Sequence, residues 1–177
     1  MYFKKMIGEI CYLSPVDPDD APVFTRWIND YDVTRYLTEA PSCYPLQAER
    51  EALDKLSREH NYCIVDLETD ALLGICGFMN LNHLNQTAEV GIFIGDKDYW
   101  GKGYGGEALS LLVRYGFDVL NLHNVMLQVV AYNDRAIRCY ERIGFRTFGV
   151  RREAVLREGK RHDKVYMEIT RSDCDSD

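Results

Sequence analysis

Residues 99–107 read Tyr-Trp-Gly-Lys-Gly-Tyr-Gly-Gly-Glu, and the interpretation of the whole chain starts from this stretch. The apolar run at 90–94 predicts a strand before it, and apolar residues at helical spacing from about Tyr104 predict a helix after it. Four glycines lie within residues 101–106, so the backbone can turn tightly and approach a ligand with no Cβ in between. The first amides of a helix lack internal partners and carry the positive end of its dipole. The stretch therefore predicts a phosphate site at a helix N-terminus.

Two common phosphate-binding motifs do not explain this loop. Gly101, Gly103 and Gly106 match the dinucleotide fingerprint, which requires an acidic residue for the ribose about 20 residues later. Residues 119–133 contain no Asp or Glu. Lys102 is followed by Gly103 rather than by Ser or Thr, which also excludes a P-loop. A dinucleotide oxidoreductase is therefore disfavoured. A ligand with a diphosphate is still expected, but bound by a different fold.

A second segment, residues 133–145, reads Asn-Asp-Arg-Ala-Ile-Arg-Cys-Tyr-Glu-Arg-Ile-Gly-Phe and follows an apolar strand. Together with the glycine-rich loop, it resembles the two acetyl-CoA motifs of the GNAT N-acetyltransferase superfamily, over roughly residues 10–169. Residues 99–104 and the turn at 158–160 are similar to the ribosomal-protein N-terminal acetyltransferases. Residues 115–122 are similar to the spermidine acetyltransferases. Trp100 replaces the Gln or Arg usual in the superfamily, and this variant occurs in the ribosomal-protein branch.

The resemblance implies an α+β fold with a mixed, mostly antiparallel sheet of about seven strands and about four flanking helices. One domain is expected over residues 1–171, followed by a frayed acidic tail at 172–177. The residue patterns predict strands at 10–13, 62–66, 71–81, 87–94, 125–131, 145–150, 152–156 and 164–169. They predict helices from about 19 to 28, at 47–59, at 104–117 and at 133–143, with 29–44 irregular.

The resemblance also implies how the chain binds acetyl-CoA as a co-substrate, without a metal. The implied contacts are Phe93, Ile94, Gly95, Trp100, Gly101, Lys102, Gly103, Tyr104, Gly105, Gly106, Asn133 and Ala136. Residues 93–95 end a strand whose free backbone groups would pair with pantetheine, although they also fit an ordinary core strand. The amides of 100–106 would hold the pyrophosphate, with added charge from Lys102. Asn133 would bond the pantetheine arm, cap its helix, or do both.

Acetyl transfer to an amine requires two proton movements. An amine with a pKa of roughly 8 to 10 is mostly protonated at neutral pH and must lose a proton before it attacks. Glu89 is the candidate base, directly or through water, because it is the one charged residue between Ala71 and Gly95. Tyr140 would protonate the leaving thiolate, as the resemblance implies. The structural alternatives are an outward-facing strand residue for Glu89 and a packed aromatic residue for Tyr140.

The acceptor is expected between the early helices and the closing hairpin. Glu39, Asp30 and Asp32 are candidates to meet a cation there, and Tyr36 and Tyr44 are candidates to line the pocket. Residues 19–70 hold 12 acidic and 5 basic residues, which would either attract a cationic acceptor or simply form solvated helix faces. A protein N-terminus, a polyamine and an aminoglycoside-like amine all remain possible acceptors. The alternative of another class is a non-catalytic acyl-CoA sensor.

Composition excludes several other functions. The formal net charge is −7 and no basic stripe is present, so a nucleic-acid partner is not expected. No apolar run reaches membrane-spanning length and no signal peptide is visible, so we expect a cytoplasmic protein without a membrane partner. Six scattered cysteines without a CxxC pair give no support for a metal site. The resemblance allows a homodimer, although no residue pattern marks its interface.

Overall fold

The computed structural model describes residues 1–37 and 42–174. The strands are β1 (Met6–Ile7), β2 (Cys11–Pro15), β3 (Asn61–Asp66), β4 (Leu72–Asn82), β5 (Thr87–Ile94), β6 (Asn124–Val130), β7 (Arg146–Arg157) and β8 (Lys160–Thr170). The α-helices are α1 (Ala21–Ile28), α2 (Tyr31–Thr34), α3 (Leu46–Leu56), α4 (Tyr104–Asp118), α5 (Asp134–Ile143) and α6 (Arg171–Cys174).

The described strands form one eight-stranded sheet in the order β1-β2-β3-β4-β5-β6-β8-β7. Among these pairs only β5 and β6 are parallel, because the connection between them crosses over through α4. The predicted α+β class with a mostly antiparallel sheet is therefore confirmed.

Both faces of the sheet are covered by helices. On one face, α4 buries the apolar stripe that its sequence predicts, with Leu109 and Leu112 fully buried. On the other face, Phe24 of α1 and Leu53 of α3 pack with Tyr12 of β2. The helices α1, α3 and α4 therefore each bury one face on the sheet and expose the other to solvent.

Several short elements differ from the prediction. The sheet has eight strands rather than about seven, partly because the two-residue β1 is too short to show a period, and six α-helices are described rather than about four. The predicted strands at 145–150 and 152–156 are one strand, β7, whose register shifts between Arg151 and Val155. A turn of helix, α2, lies in the stretch expected to be irregular, where Asp30 caps it by accepting from the N–H of Asp32. The helix α6 begins at the last residue of the predicted domain, Arg171, and extends into the predicted tail at 172–177, with Asp173 accepting from the N–H of Thr170.

The partly buried carboxylate of Glu107 connects α4 to the turn between β1 and β2. Glu107 accepts hydrogen bonds from the backbone N–H groups of Glu9, Ile10 and Cys11, at 2.6, 3.0 and 2.7 Å. Burial alone would raise the pKa of Glu107, but these hydrogen bonds outweigh it and the pKa lies below its usual value. The carboxylate therefore orients the N-terminal turn of α4 relative to the sheet.

The variant Glu107→Gln should lower the free energy of unfolding by about 1–2 kcal/mol, since charge-assisted bonds are lost at a partly exposed site. A lowered pKa in the folded state stabilises the protein above the ordinary glutamate pKa, and this contribution disappears as the pH falls through the lowered value. Urea unfolding at pH 7 and pH 4 measures both effects, with the exposed helical Glu141→Gln as control. Equal unfolding free energies for the two variants at pH 7 would remove this role from Glu107.

Candidate active site

The site lies where β5 and β6 separate. The two strands pair over Thr87–Glu89 and Asn124–Met126, and the described register ends with Glu89 opposite Met126. Beyond that point a cavity of about 540 Å³ opens, with residues 90–94 of β5 on one side and 127–129 of β6 on the other. The glycine-rich loop and α5 complete its walls. The cavity thus extends from the loop to Glu89.

The hydrogen-bonding direction of β5 alternates along the strand. The N–H of Gly95 donates to the carbonyl of Leu73, so Gly95 and Phe93 direct their backbone groups toward β4. Ile92 and Ile94 therefore direct theirs toward the gap. In agreement, the carbonyl of Ile94 accepts from Nε1 of Trp100 at 2.8 Å. The gap side of β5 thus presents a strand edge to any ligand in the cavity.

The glycine-rich loop needs glycine at two positions because of its backbone angles. Gly101 has φ of 74° and Gly103 has φ of 96°, in the left-handed region that side chains disfavour. Gly103 is also the N-cap of α4, so the first free amides of that helix follow it directly. Both glycines line the cavity, as do Gly105 and Gly106. The predicted helix N-terminus therefore opens into the cavity.

Side chains around the loop are engaged in structural contacts. The hydroxyl of Tyr104 donates to Asp66 on β3 at 2.5 Å, which anchors the first residue of α4. Lys102 does not line the cavity, and its amine lies 5.6 Å from the ring centre of Tyr99. Tyr104 also lines the cavity, and as the first residue of α4 it has a backbone N–H without a partner inside the helix.

Two cations that the sequence analysis did not select also line the cavity. Arg135 and Arg142 lie seven residues apart on α5, which places them on the same helix face. The guanidinium of Arg135 lies 5.0 Å from the ring centre of Trp100. The sequence could have indicated them, because basic residues recur at helical spacing in the segment that forms α5. Arg135 therefore places positive charge beside the glycine-rich loop, and Arg142 adds positive charge to the wall of the same cavity.

Asn133 caps α5 by accepting from the N–H of Ala136 at 3.3 Å. Both residues line the cavity. Because the side-chain oxygen makes the cap, the Asn133 amide nitrogen can still donate to a ligand. The N-cap alternative from the sequence is therefore confirmed, and it leaves a cofactor contact available.

Glu89 is 9% exposed and lines the cavity at the end of the β5–β6 pairing. Gln128 on β6 donates an amide hydrogen to Oε1 of Glu89, and Asn80 on β4 donates to Oε2 at 3.2 Å. Gln128 is the one polar side chain in residues 125–131, which is a signal that the sequence analysis overlooked. Asn80 follows the register shift after Met79, which no local pattern reveals. Two amides from neighbouring strands thus orient the carboxylate.

Tyr140 lines the same cavity from α5, and its ring centre lies 6.2 Å from that of Phe145. Burial raises the pKa of Tyr140 to about 12. The hydroxyl therefore carries its proton throughout the neutral range. The neighbouring Cys139 also lines the cavity, beside Gly106.

Several predicted site residues lie elsewhere. Gly95 is outside the cavity lining, and an added Cβ there would meet the ring of Trp27 at 2.1 Å. Asp30 lies 2.6 Å from the amine of Lys97. Tyr44 is held by Asn29 through two hydrogen bonds, at 2.8 and 2.9 Å.

Other acceptor candidates divide between the cavity and its surroundings. Tyr36 lines the cavity, and Asp32 lies 3.6 Å from the amine of Lys97. Glu39 is outside the described residues. Within residues 1–37 and 42–174, no helix has the length and apolarity to cross a membrane, and no cluster of potential metal ligands is found.

Comparison with known proteins identifies the family. Residues 11–146, which are more than half of the chain, match the acetyltransferase (GNAT) domain. The chain therefore belongs to the GNAT acetyltransferase family, and the class of enzyme that the sequence predicts is confirmed.

Three curated relatives and one solved structure are similar to the chain. The N-acetyltransferase p20 of Bacillus licheniformis, itself uncharacterized, is 32% identical over 160 residues, covering 88% of this chain and 89% of its own. Spermidine N(1)-acetyltransferase of Escherichia coli K12 is 30% identical, covering 88% and 83%. YdaF of Bacillus subtilis, named provisionally as a ribosomal N-acetyltransferase, is 31% identical over 60% of this chain and 58% of its own. Both predicted branches of the superfamily are thus represented.

The solved structure is the spermidine N-acetyltransferase of Vibrio cholerae in complex with CoA and spermine. It matches with a TM-score of 0.85 at 24% identity and covers 94% of this chain and 98% of its own. At this level of identity the likeness establishes the fold, and the predicted GNAT fold is confirmed.

Proposed function

We propose that the protein transfers an acetyl group from acetyl-CoA to a primary amine by direct attack in a ternary complex. The observation that supports this most is a single cavity that contains a helix N-terminus, an open strand edge and the oriented carboxylate of Glu89. The helix N-terminus would hold a diphosphate, the strand edge would pair with a pantetheine arm, and the carboxylate would accept a proton from the incoming amine.

The residues present fit acetyl-CoA as the co-substrate. The amides that follow Gly103 would hold the diphosphate, with Arg135 and Arg142 adding positive charge. Ile92 and the N–H of Ile94 would pair with the amides of pantetheine, and the Asn133 side chain would donate to the same arm. When bound, acetyl-CoA supplies a thioester carbonyl that an amine can attack.

Glu89 would take the proton of the incoming ammonium, directly or through one water. The amides of Gln128 and Asn80 keep the carboxylate aimed into the cavity, so its orientation precedes substrate binding. The backbone N–H groups near Ile92 and Ile94 would stabilise negative charge that develops on the thioester oxygen.

Tyr140 would donate its proton to the departing thiolate. As the C–S bond breaks, the hydroxyl would donate its proton to the sulfur, and it would regain a proton from the nitrogen, which loses one when the amide forms. Because the pKa of Tyr140, about 12, lies above the ordinary thiol pKa of about 8.5, the tyrosinate would be the stronger base of the two and would take up that proton readily.

Release of free CoA thiol from acetyl-CoA, measured with a panel of amines, tests this function. We expect amine-dependent release, with an N-terminal peptide amine and a polyamine as the first acceptors to try, since relatives carry names of both kinds. Acetyl-CoA binding without release for any amine would favour the alternative of a non-catalytic acyl-CoA sensor. The oriented carboxylate of Glu89 has no role in such a sensor and favours the enzyme.

The loop conformation gives a further prediction. Gly103→Ala should weaken acetyl-CoA binding about tenfold or more, because a Cβ at φ of 96° strains the backbone that presents the amides. Gly149→Ala is the matched control, since its added Cβ would meet nothing within 4 Å. Isothermal titration with acetyl-CoA measures both affinities. If the two variants bind equally well, the amides after Gly103 do not hold the diphosphate.

A further inference from the structure

A second cavity, of about 250 Å³, lies between α2 and the β7–β8 hairpin. Tyr36 lines both this cavity and the larger one, so the two cavities adjoin at that residue. The second cavity therefore lies where a group attached to the acceptor amine would extend. It is called the hairpin cavity below.

The described lining of the hairpin cavity is predominantly cationic. Arg35 and Lys160 contribute positive charge, against one carboxylate among the described lining residues, Glu158. Arg157 also lines the cavity and donates to the carbonyl of Leu37 at 2.8 Å. Glu158 accepts from the hydroxyl of Tyr31 at 3.2 Å. An anionic group placed here would be attracted by the positive potential, and a distal ammonium would be repelled.

Aromatic rings give the hairpin cavity a fixed wall. The ring centres of Tyr36 and Tyr132 are 5.6 Å apart, and those of Tyr132 and His162 are 4.7 Å apart. The hydroxyl of Tyr132 donates to the carbonyl of Arg35 at 2.7 Å, which ties the wall to the segment after α2. The aromatic wall is thus tied to the backbone of Arg35, whose guanidinium lies 4.9 Å from the ring centre of Tyr36.

Four carboxylates of the described part of residues 19–70 are engaged away from the hairpin cavity. Asp30 and Asp32 face Lys97, and the Lys97 hydrogen bond holds the pKa of Asp30 below its usual value. Asp19 and Asp54 form ion pairs with arginines within their own region. These carboxylates belong to solvated ion pairs, as the alternative interpretation of the sequence allowed. None of the four lines either cavity.

We propose that the hairpin cavity receives an anionic group of the acceptor, so that the enzyme prefers amines bearing a carboxylate or phosphate over polyamines. This inference rests on the proposed function, because it names the acceptor class for the same transfer. The acceptor amine reaches Glu89 in the larger cavity, while its acidic substituent passes Tyr36 toward Lys160 and Arg35.

The test uses tripeptide amides that differ only in the central residue, Ala-Asp-Ala, Ala-phosphoSer-Ala, Ala-Asn-Ala and Ala-Lys-Ala, with spermidine as a fifth acceptor. We expect kcat/KM to be about tenfold or more higher for an acidic peptide than for the lysine peptide. Comparison of the two acidic peptides shows whether the cavity prefers a carboxylate or a phosphate. A preference for spermidine or for the lysine peptide would overturn the inference and leave the N-acetyltransferase function intact.

Reversing the charge of Lys160 tests whether the preference for acidic peptides arises in the hairpin cavity. Lys160→Glu should lower the ratio of kcat/KM for acidic to basic peptide about tenfold or more, whereas the exposed Arg151→Glu, on the same hairpin but outside both cavities, should leave it unchanged. Acetyl-CoA-induced thermal shift of each variant reports the fold. Equal ratios in the two variants would overturn the inference, and absence of product with all five acceptors would overturn the proposed function with it.

Discussion

Replacing Glu89 by Gln is expected to lower kcat/KM about 10²- to 10⁴-fold at neutral pH, as for loss of a positioned general base. The amide has nearly the same shape, so the cavity keeps its form. It cannot take a proton from the acceptor ammonium, and it can accept from only one of its two amide neighbours while its NH₂ group faces the other.

Affinity for acetyl-CoA should change little in this variant, because Glu89 lies beyond the strand edge that would bind pantetheine. The control is Glu68→Gln, which removes an exposed carboxylate in the turn after β3. The rate loss should shrink as the pH approaches the amine pKa, since free amine then exists without a base. A loss that is the same at pH 7 and pH 10 would indicate that Glu89 positions the acceptor rather than deprotonating it.

The second large effect concerns Tyr140. Tyr140→Phe should lower turnover about 10- to 1000-fold with acetyl-CoA affinity nearly unchanged, because the ring contacts remain and only the proton donor is lost. Phe145→Leu, which alters the aromatic neighbour without touching the hydroxyl, separates packing from proton donation. Unchanged turnover in Tyr140→Phe would remove Tyr140 from the mechanism.

The pH profile gives an independent check on Tyr140. Its pKa is raised to about 12 by burial, so its hydroxyl remains protonated up to about pH 11. Turnover of the wild-type enzyme should therefore show no decline assignable to Tyr140 between pH 7 and pH 10. A decline in that range that disappears in Tyr140→Phe would contradict the raised pKa.

Long elements with an uninterrupted pattern were predictable because they have enough residues to show their period. The helix α4 and the strand β5 lie within about one residue of their predicted bounds. The short β1, α2 and α6 were missed, since two to four residues show no period and depend on contacts with distant parts of the chain. The continuity of β7 was missed because its register shift interrupts the alternation of side chains.

Within the candidate site, the features that depend on local geometry were the most predictable. Gly101, Gly103 and the Asn133 cap follow from local turn and helix geometry. Asn80 and Gln128 become neighbours of Glu89 only through the pairing of three strands, so their role depends on sheet order and on a register shift. The cationic hairpin cavity likewise joins α2 to residues more than 100 positions away.

We propose that the helix N-terminus after Gly103 binds the diphosphate of acetyl-CoA and that the open edge of β5 binds the pantetheine arm of the same molecule. A crystal structure of the protein soaked with acetyl-CoA tests it most directly. We expect the diphosphate within hydrogen-bond distance of the amides of residues 101–106, with pantetheine between β5 and β6 and the thioester near Tyr140. A coenzyme lodged elsewhere, with the gap between these strands empty, would contradict the account.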